Sequence, residues 1–285
     1  MSQKPKIEPT RDGSTTLYSE AFSQTYHNRA GAVTESRHIF FETPGIPVML
    51  AAHKNLSILE IGFGTGLNLL LLLDYLKKNQ SKSEVVFKSI EAFPIDPTIA
   101  SKLNFGEELE YLDYTPLLKK IFTGLTSGVN RIQINEQVML EFFVGRFEEI
   151  EFDQPVRKSE QKADTPQTTT LNAQLLSPLK GRSLFNYIFH DPFSPDANPE
   201  GWTPDLFHKI AAASSPDALL TTYCAASKAR AAMAVAGWYV ARAPGAPGKR
   251  EMTMGSLKPE KLEGLKRVNE ERLVERFFER ENERG

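Results

Sequence analysis

The stretch from Leu56 to Lys78 constrains this chain more than any other. Leu56 to Ile61 is an apolar run of strand length. Gly62, Gly64 and Gly66 follow at alternate positions, and the aliphatic run opening at Leu67 reads as a helix to about Lys78. A buried strand that turns through glycines straight into a helix is the opening unit of an α/β sheet. The rest of the chain keeps that rhythm. Val85 to Ile90 reads as a second strand, residues 107 to 122 as a helix and Val138 to Val144 as a third strand. Leu184 to Phe189 reads as a fourth strand, Trp202 to Ala213 as a helix, Ala218 to Tyr223 as a fifth strand and residues 226 to 236 as an alanine-rich helix. This alternation implies an α/β fold with a doubly wound, Rossmann-like sheet, mostly parallel. Trp238 to Arg242 and Arg250 to Leu257 are spaced to pair across Ala243 to Lys249, so an antiparallel terminal hairpin strand is expected at the sheet edge.

Three divisions are expected. Residues 1–50 form an N-terminal extension or small subdomain: a polar lead-in to Thr16, then aromatics mixed with the polar stretch Thr34-Glu35-Ser36-Arg37. Residues 51–257 carry the sheet. Within them, residues 154–182 are rich in Gln, Thr, Lys, Ser and Pro and read as a flexible insertion between the third and fourth strands. Residues 258–285 are dense in Glu and Arg. Leu265, Val268, Leu273, Phe277 and Phe278 give them a partial apolar face, so they read as a charged C-terminal helix docked on one side. The single cysteine, Cys224, rules out a disulfide within the chain and a zinc site built on several cysteines. No other metal site is expected. The N-terminus lacks the apolar core of a signal peptide, and the run Leu69 to Leu73 is too short to span a bilayer. A cytoplasmic protein with no membrane partner is expected. A net charge of −2 gives no overall basic excess, so any nucleic-acid contact must come from a local basic surface.

Alternate glycines permit a tight turn with positive φ and let a ligand lie against bare backbone. Their G-x-G-x-G spacing differs from the G-x-G-x-x-G fingerprint that brings a pyrophosphate to a helix N-terminus. Glu60, just before the glycines, suits a cationic amino or sulfonium centre and would repel a pyrophosphate. Glu91 directly follows the second strand, 29 residues past Gly62. There a carboxylate can accept both hydroxyls of a ribose. S-adenosylmethionine has an amino-acid end, a sulfonium, a ribose and an adenine but no phosphate, and it satisfies both glutamates. The expected cofactor set is Glu60, Gly62, Phe63, Gly64, Gly66, Asn68, Glu91 and Ala92. NAD is the main competing ligand, and a glycine turn that binds nothing is the plainer alternative.

His190-Asp191-Pro192-Phe193 ends the fourth predicted strand. Ligands of doubly wound sheets bind beyond the carboxyl ends of the strands. Asp191 is therefore expected to face the same crevice as the glycine loop. Methyl transfer to an amine needs a neutral nitrogen aimed at the methyl carbon. A carboxylate can accept the N–H bonds, orient the lone pair and take the proton released. Asp191 is the expected catalytic residue, against the alternative of a cap or turn. Phe193 is expected to stack on a base or sugar, and Trp202 to shape the pocket or anchor the next helix. Lys249 and Arg250 either contact phosphate or lie on an exposed turn. His190, beside an apolar strand, reads first as a packed residue and second as a base.

These motifs stand in the order of a known family. Glu60 to Asn68, Asp191-Pro192-Phe193-Ser194-Pro195, Asn198 to Phe207 and Lys249-Arg250-Glu251-Met252 together resemble the methyltransferase domain of MnmC, a bacterial family that modifies the tRNA wobble uridine. Thr34-Glu35-Ser36-Arg37 is similar to that domain's N-terminal Glu-Ser-Arg segment, and the likeness covers roughly residues 17 to 257. Asp191-Pro192-Phe193 also loosely resembles the Asp-Pro-Pro-Tyr motif of amino-group methyltransferases. The resemblance implies a class I methyltransferase sheet with S-adenosylmethionine as cofactor. It implies methylation of the aminomethyl group of the tRNA wobble uridine, 5-aminomethyl-2-thiouridine to 5-methylaminomethyl-2-thiouridine, with Asp191 in the catalytic place. The chain stops at Gly285, so a stand-alone methyltransferase is expected, with a separate oxidase or other upstream modification enzymes supplying the amine. The family's Leu-Asp-Gly-Phe-Ala-Pro is here His190 to Pro195. The Gly-Asp pair that contacts adenine in many such enzymes is here Gly145-Arg146, which puts Arg146 in the cofactor set. Two alternatives stay open: a methyltransferase acting on a small-molecule or protein amine, and a non-catalytic module that binds the cofactor.

Overall fold

A computed structural model of the chain describes residues 4–106, 109, 114–152 and 184–283. The chain opens with a small antiparallel sheet of β1 (Lys6–Pro9), β2 (Thr15–Ser19) and β3 (Gln24–Thr25), then two short helices, α1 (Ala32–Ser36) and α2 (Ile46–Ala51). The main sheet begins with β4 (Leu56–Ile61), α3 (Leu67–Lys78) and β5 (Val85–Glu91), followed by α4 (Pro97–Ala100), α5 (Thr115–Thr123), β6 (Gly128–Gln133) and β7 (Val138–Val144). It continues through β8 (Phe185–His190), α6 (Pro204–Ala213), β9 (Ser214–Thr222) and α7 (Ser227–Val235). It ends with β10 (Tyr239–Pro244), β11 (Glu251–Ser256), β12 (Lys266–Arg267) and α8 (Glu270–Asn282). Among the described residues this sheet has nine strands in the order β12-β10-β11-β9-β8-β4-β5-β7-β6. The run β7-β5-β4-β8-β9 is parallel. β6 is antiparallel on β7, and β11, β10 and β12 alternate in direction at the other end.

β4 is buried on both faces, which is why its sequence is a continuous rather than an alternating apolar run. Leu56 and Ile58 enter the apolar layer beneath α3, and Leu59 and Ile61 enter the layer beneath α6 and α7. α3 is apolar on every side because it lies between the sheet and the N-terminal helices. Each of its fully buried leucines contributes on the order of 1.5–3 kcal/mol. Arg37, just past α1, stands 4.0 Å from the buried Asp74 of α3. Leu17, Ile39, Phe40 and Phe41 of the N-terminal segment join the same apolar cluster as β4 and α3.

Several expectations are corrected. Of the helix read over 107 to 122, the described part is α5, with Pro116 in its first turn, where a missing amide costs no hydrogen bond; residues 107, 108 and 110–113 lie outside the described residues. The helix read from Trp202 starts at Pro204. Residues Pro199–Trp202 form a 3-10 turn, and the Thr203 hydroxyl accepts from Leu206 N at 3.2 Å to cap α6. The terminal hairpin forms, but not as the sheet edge: β11 inserts against β9, and β12 covers β10. β6, whose Val129 and Arg131 point outward, is an edge strand that the sequence reading misses. The charged C-terminal helix is α8, packed against α7, although Phe278 of its apolar set stays 52% exposed. The 154–182 insertion lies outside the described residues.

Candidate active site

β4 and β8 are neighbours, and the chain leaves both at the same end of the sheet. Ile61 pairs with His190. The hydrogen-bond ladder continues past the strand ends: Asp191 N donates to Ile61 O at 2.9 Å, and Gly62 N to Ile90 O at 2.9 Å. The backbone carrying Asp191 and Gly62 is therefore held by the sheet itself. Gly62 has φ +92°, and a Cβ there would sit 2.8 Å from the Asp191 carbonyl oxygen, so only glycine serves. Gly64, at φ +54°, turns its bare Cα toward the Tyr26 ring.

A cavity of about 510 Å³ opens beyond these strand ends, within the roughly 300–1,000 Å³ typical of small-molecule sites. Gly62 and Gly64 of the glycine loop line it, together with Glu91, Ala92 and Arg146 and with Asp191, Phe193 and Tyr223. Residues between Tyr18 and Glu35 cover it, and Lys249 reaches in from the turn between β10 and β11. Of the residues expected from sequence, Gly62, Gly64, Glu91, Ala92, Arg146, Asp191, Phe193 and Lys249 are brought together here. Glu60, Phe63, Gly66, Asn68, Trp202 and Arg250 are not among the lining residues.

Each of those six has another place. Glu60 is 1% exposed beneath the loop. Its Oε1 accepts from Asn68 Nδ2 at 2.9 Å, and its Oε2 accepts from Ser89 Oγ at 2.6 Å. Burial pushes its carboxyl up to about 8, against the two hydrogen bonds that pull it down. Glu60 and Asn68 therefore brace the loop through these hydrogen bonds. Phe63 packs edge-on against Phe122 and Phe142, with centroids at 5.6 and 4.6 Å. Gly66, at φ +81°, opens α3. Trp202 is buried, and its indole N–H donates to Phe193 O at 2.7 Å, fixing the loop that follows Asp191. Arg250 points outward from the turn that sends Lys249 inward. His190 is packed: it is fully buried against Trp202 and Phe207, and its Nε2 lies 2.8 Å from Gly201 O, which makes Nε2 the protonated nitrogen. Burial pushes its basicity down to about 3, so it is neutral.

One face of the Phe193 ring is taken within the protein. Phe22 stacks on it at 4.3 Å, and Tyr26 meets it edge-on at 5.0 Å. Gln24 secures the same loop from above: its Nε2 donates to Ser194 Oγ at 2.5 Å, and its Oε1 accepts from Ser194 N at 3.2 Å. Glu91 accepts from Gly64 N at 3.0 Å and from Phe93 N at 2.9 Å, so its carboxylate is oriented by the loop and by its own strand end. Burial raises its proton affinity.

The wall around Asp191 is strongly charged. Burial first, and then the nearby charges of Glu35 and Glu60, hold the Asp191 carboxyl well above the ordinary carboxylate range, and Lys249 opposes them. Lys249 Nζ lies 2.7 Å from Glu35 Oε1 and 4.6 Å from the centre of the Tyr223 ring. Tyr223 donates its hydroxyl to Pro192 O at 2.8 Å, which fixes the ring beside Asp191. His27 joins the N-terminal sheet to the glycine loop. Its Nδ1 lies 3.3 Å from Thr16 Oγ1 and its Nε2 3.4 Å from Thr65 Oγ1. Burial lowers it to about 4. The sequence reading misses Glu35, Tyr223, Tyr26 and His27. Tyr223 was open to the same strand-end argument that finds Asp191, since it follows β9. Glu35 sits in the Glu-Ser-Arg segment, whose role no local pattern reveals.

Bare backbone at Gly62 and Gly64 and an oriented carboxylate at Glu91 suit a phosphate-free ligand with a ribose, and this donor set fits S-adenosyl-L-methionine. Among the described residues no group of His, Cys, Asp and Glu could hold a metal ion, and no helix is long and apolar enough to cross a membrane. Residues 170–258 match a family described as S-adenosyl-L-methionine-dependent methyltransferase. The chain is 28% identical over 257 residues to the tRNA 5-methylaminomethyl-2-thiouridine biosynthesis bifunctional protein MnmC of Aromatoleum aromaticum, covering 87% of this chain and 36% of that protein. It is also 28% identical over 252 residues to the protein of the same name from Delftia acidovorans, covering 88% of this chain and 34% of that protein. The chain thus spans about a third of the length of the curated relatives it matches. Among solved structures, MnmC2 from Aquifex aeolicus superposes with a TM-score of 0.66 at 23% identity, over 90% of this chain and 71% of that one, a likeness of fold. Sheet order and glycine-floored cavity agree with the match over residues 170–258, the part of the chain that is similar to the S-adenosyl-L-methionine-dependent methyltransferases.

Proposed function

We propose that this chain methylates the primary amine of the aminomethyl group on a tRNA wobble uridine, completing 5-methylaminomethyl-2-thiouridine. The names of its relatives support that acceptor. The observation that carries the reading is the place of Asp191: a carboxylate of raised proton affinity that lines the same cavity as the glycine loop. S-adenosyl-L-methionine, when bound, supplies an electrophilic methyl carbon on a sulfonium sulfur. Gly62 and Gly64 would give it backbone to lie on, Glu91 would accept from its ribose hydroxyls, and Ala92 and Arg146 would complete its site.

The acceptor amine arrives protonated, because a primary alkylamine titrates near 10, as lysine does. It must lose a proton before its lone pair can attack. Asp191 is ionised above its raised pKa and takes that proton through an N–H···O contact, which also aims the lone pair. Holding acceptor and donor in one cavity supplies on the order of 7–11 kcal/mol in favourable cases. Arg250, exposed on the turn between β10 and β11, would meet a phosphate of the tRNA. An upstream modification activity would supply the aminomethyl precursor.

The test is methyl transfer from labelled S-adenosyl-L-methionine to bulk tRNA lacking the terminal methylation, with wild type and Asp191→Ala. Label in the wobble uridine with wild type alone supports both reaction and site. Absence of label from a protein that still binds the cofactor overturns the tRNA reading.

A further inference from the structure

Glu35 is an almost fully buried carboxylate on the cavity wall, at 8% exposure. Its Oε2 accepts from Asn28 N at 2.8 Å, and its Oε1 faces the Lys249 ammonium at 2.7 Å. The same ammonium lies over the Tyr223 ring at 4.6 Å. A carboxylate on one side and an aromatic face on the other is a receptor for an alkylammonium ion. Asp191 lines the same cavity and feels the charges of both Glu35 and Lys249. Lys249 itself is not sealed in. Its side chain is 33% exposed and rides on the β10–β11 turn, where Gly248 has φ +87°. A four-carbon stem on such a turn can swing to solvent without disturbing the sheet.

We propose that Glu35 and Tyr223 form the subsite for the acceptor's primary ammonium, and that Lys249 is a resident cation which the acceptor displaces. The inference rests on the reading that the acceptor is an amine. Lys249 Nζ and an aminomethyl group share one chemistry: a primary ammonium on a flexible carbon. When the acceptor enters, Glu35 takes over its charge and Tyr223 its face. The two carboxylates then divide the work. Glu35 binds the cation, and Asp191 takes its proton. The incoming ammonium stands where the Lys249 ammonium stood, so Asp191 keeps a neighbouring cation throughout the exchange. Glu35 and Tyr223 are positioning residues in this scheme, and they select an amine over an alcohol.

The experiment titrates benzylammonium chloride, with benzyl alcohol as the uncharged control, into the full chain by calorimetry at neutral pH and low salt. Wild type, Glu35→Gln and Lys249→Met are compared, with circular dichroism to confirm the fold of each. The ammonium is expected to bind wild type and the alcohol not to. Lys249→Met is expected to tighten ammonium binding, and Glu35→Gln to weaken it, each on the order of tenfold. A second readout is the pH–rate profile of Lys249→Met, whose acidic limb moves to higher pH. If Lys249→Met binds benzylammonium no more tightly than wild type, the pair is a structural brace and the proposal fails. Equal binding of the alcohol overturns it as well. The two readings fail separately: the expected ammonium binding with unlabelled tRNA keeps the subsite and sinks the tRNA acceptor, whereas labelled tRNA with ammonium binding indifferent to Glu35→Gln does the reverse.

Discussion

The two halves of the cavity are built by different means. The floor and the Glu91 wall are backbone: strand ends locked by ladder bonds, glycines held at positive φ and a carboxylate fixed by two amides. The cover, from Tyr18 to Glu35, is side chains: Phe22 stacked on Phe193, Gln24 clasping Ser194 and Glu35 facing Lys249. A backbone-built surface suits a ligand that is always the same. A side-chain surface can be retuned for its acceptor by single substitutions. The comparison teaches that cofactor and acceptor selection are separable in this chain, and mutation should separate them.

The largest effect is expected where the halves meet. Asp191→Asn keeps the shape of the wall and removes the base, so the single-turnover rate should fall by about 10²–10⁴ while cofactor affinity holds. A loss of cofactor affinity as large as the loss of rate would break the division. Next is Gly62→Ala on the floor. It forces a Cβ to 2.8 Å from the Asp191 carbonyl at φ +92°. It should lower stability by about 1–3 kcal/mol and abolish cofactor binding, measured by thermal melts and calorimetry.

Phe22→Ala on the cover should behave otherwise. It removes a stack worth about 0.5–1.5 kcal/mol, so KM for the acceptor should rise several-fold with the cofactor's Kd unchanged. A shift in both constants would show the cover to be part of the cofactor site. The smallest effect concerns Glu60. Its carboxyl is raised from an ordinary 4.5 to about 8, so the folded chain binds its proton more tightly than the unfolded chain does. That contribution to stability is complete below pH 4.5 and is lost as pH rises toward 8. Glu60→Gln should therefore flatten the fall in melting temperature between those limits. An unchanged slope would mean that the carboxyl is solvated and part of the cavity.

The same division governs what could be read from sequence. The strand–glycine–helix unit at Leu56 to Lys78 is legible because its geometry is local: an apolar run, glycines where φ is positive, and an aliphatic helix. Asp191 is legible because strand ends face ligands in doubly wound sheets. Glu91 follows from the same rule. Glu60 is legible as a carboxylate but not as a buried one, since Ser89 and Asn68 enclose it only after β5 and α3 pack. Glu35 and Lys249 meet across more than two hundred residues of chain, and neither stands in a periodic pattern that would announce the contact. β6 escapes because only half of an edge strand is buried. The hairpin is legible as a pairing, but its insertion beside β9 is a property of the whole sheet.

That insertion bears on how the chain is made. β10 is synthesised before β11 yet lies outside it, so the exposed edge of β9 has no partner until Ser256 has left the ribosome. Until then five parallel strands present a bare, apolar-flanked edge, a surface that invites pairing with another chain. The turn between β10 and β11 closes that edge and in the same movement delivers Lys249 to Glu35. Closure of the β9 edge and assembly of the charged wall thus depend on the same hairpin.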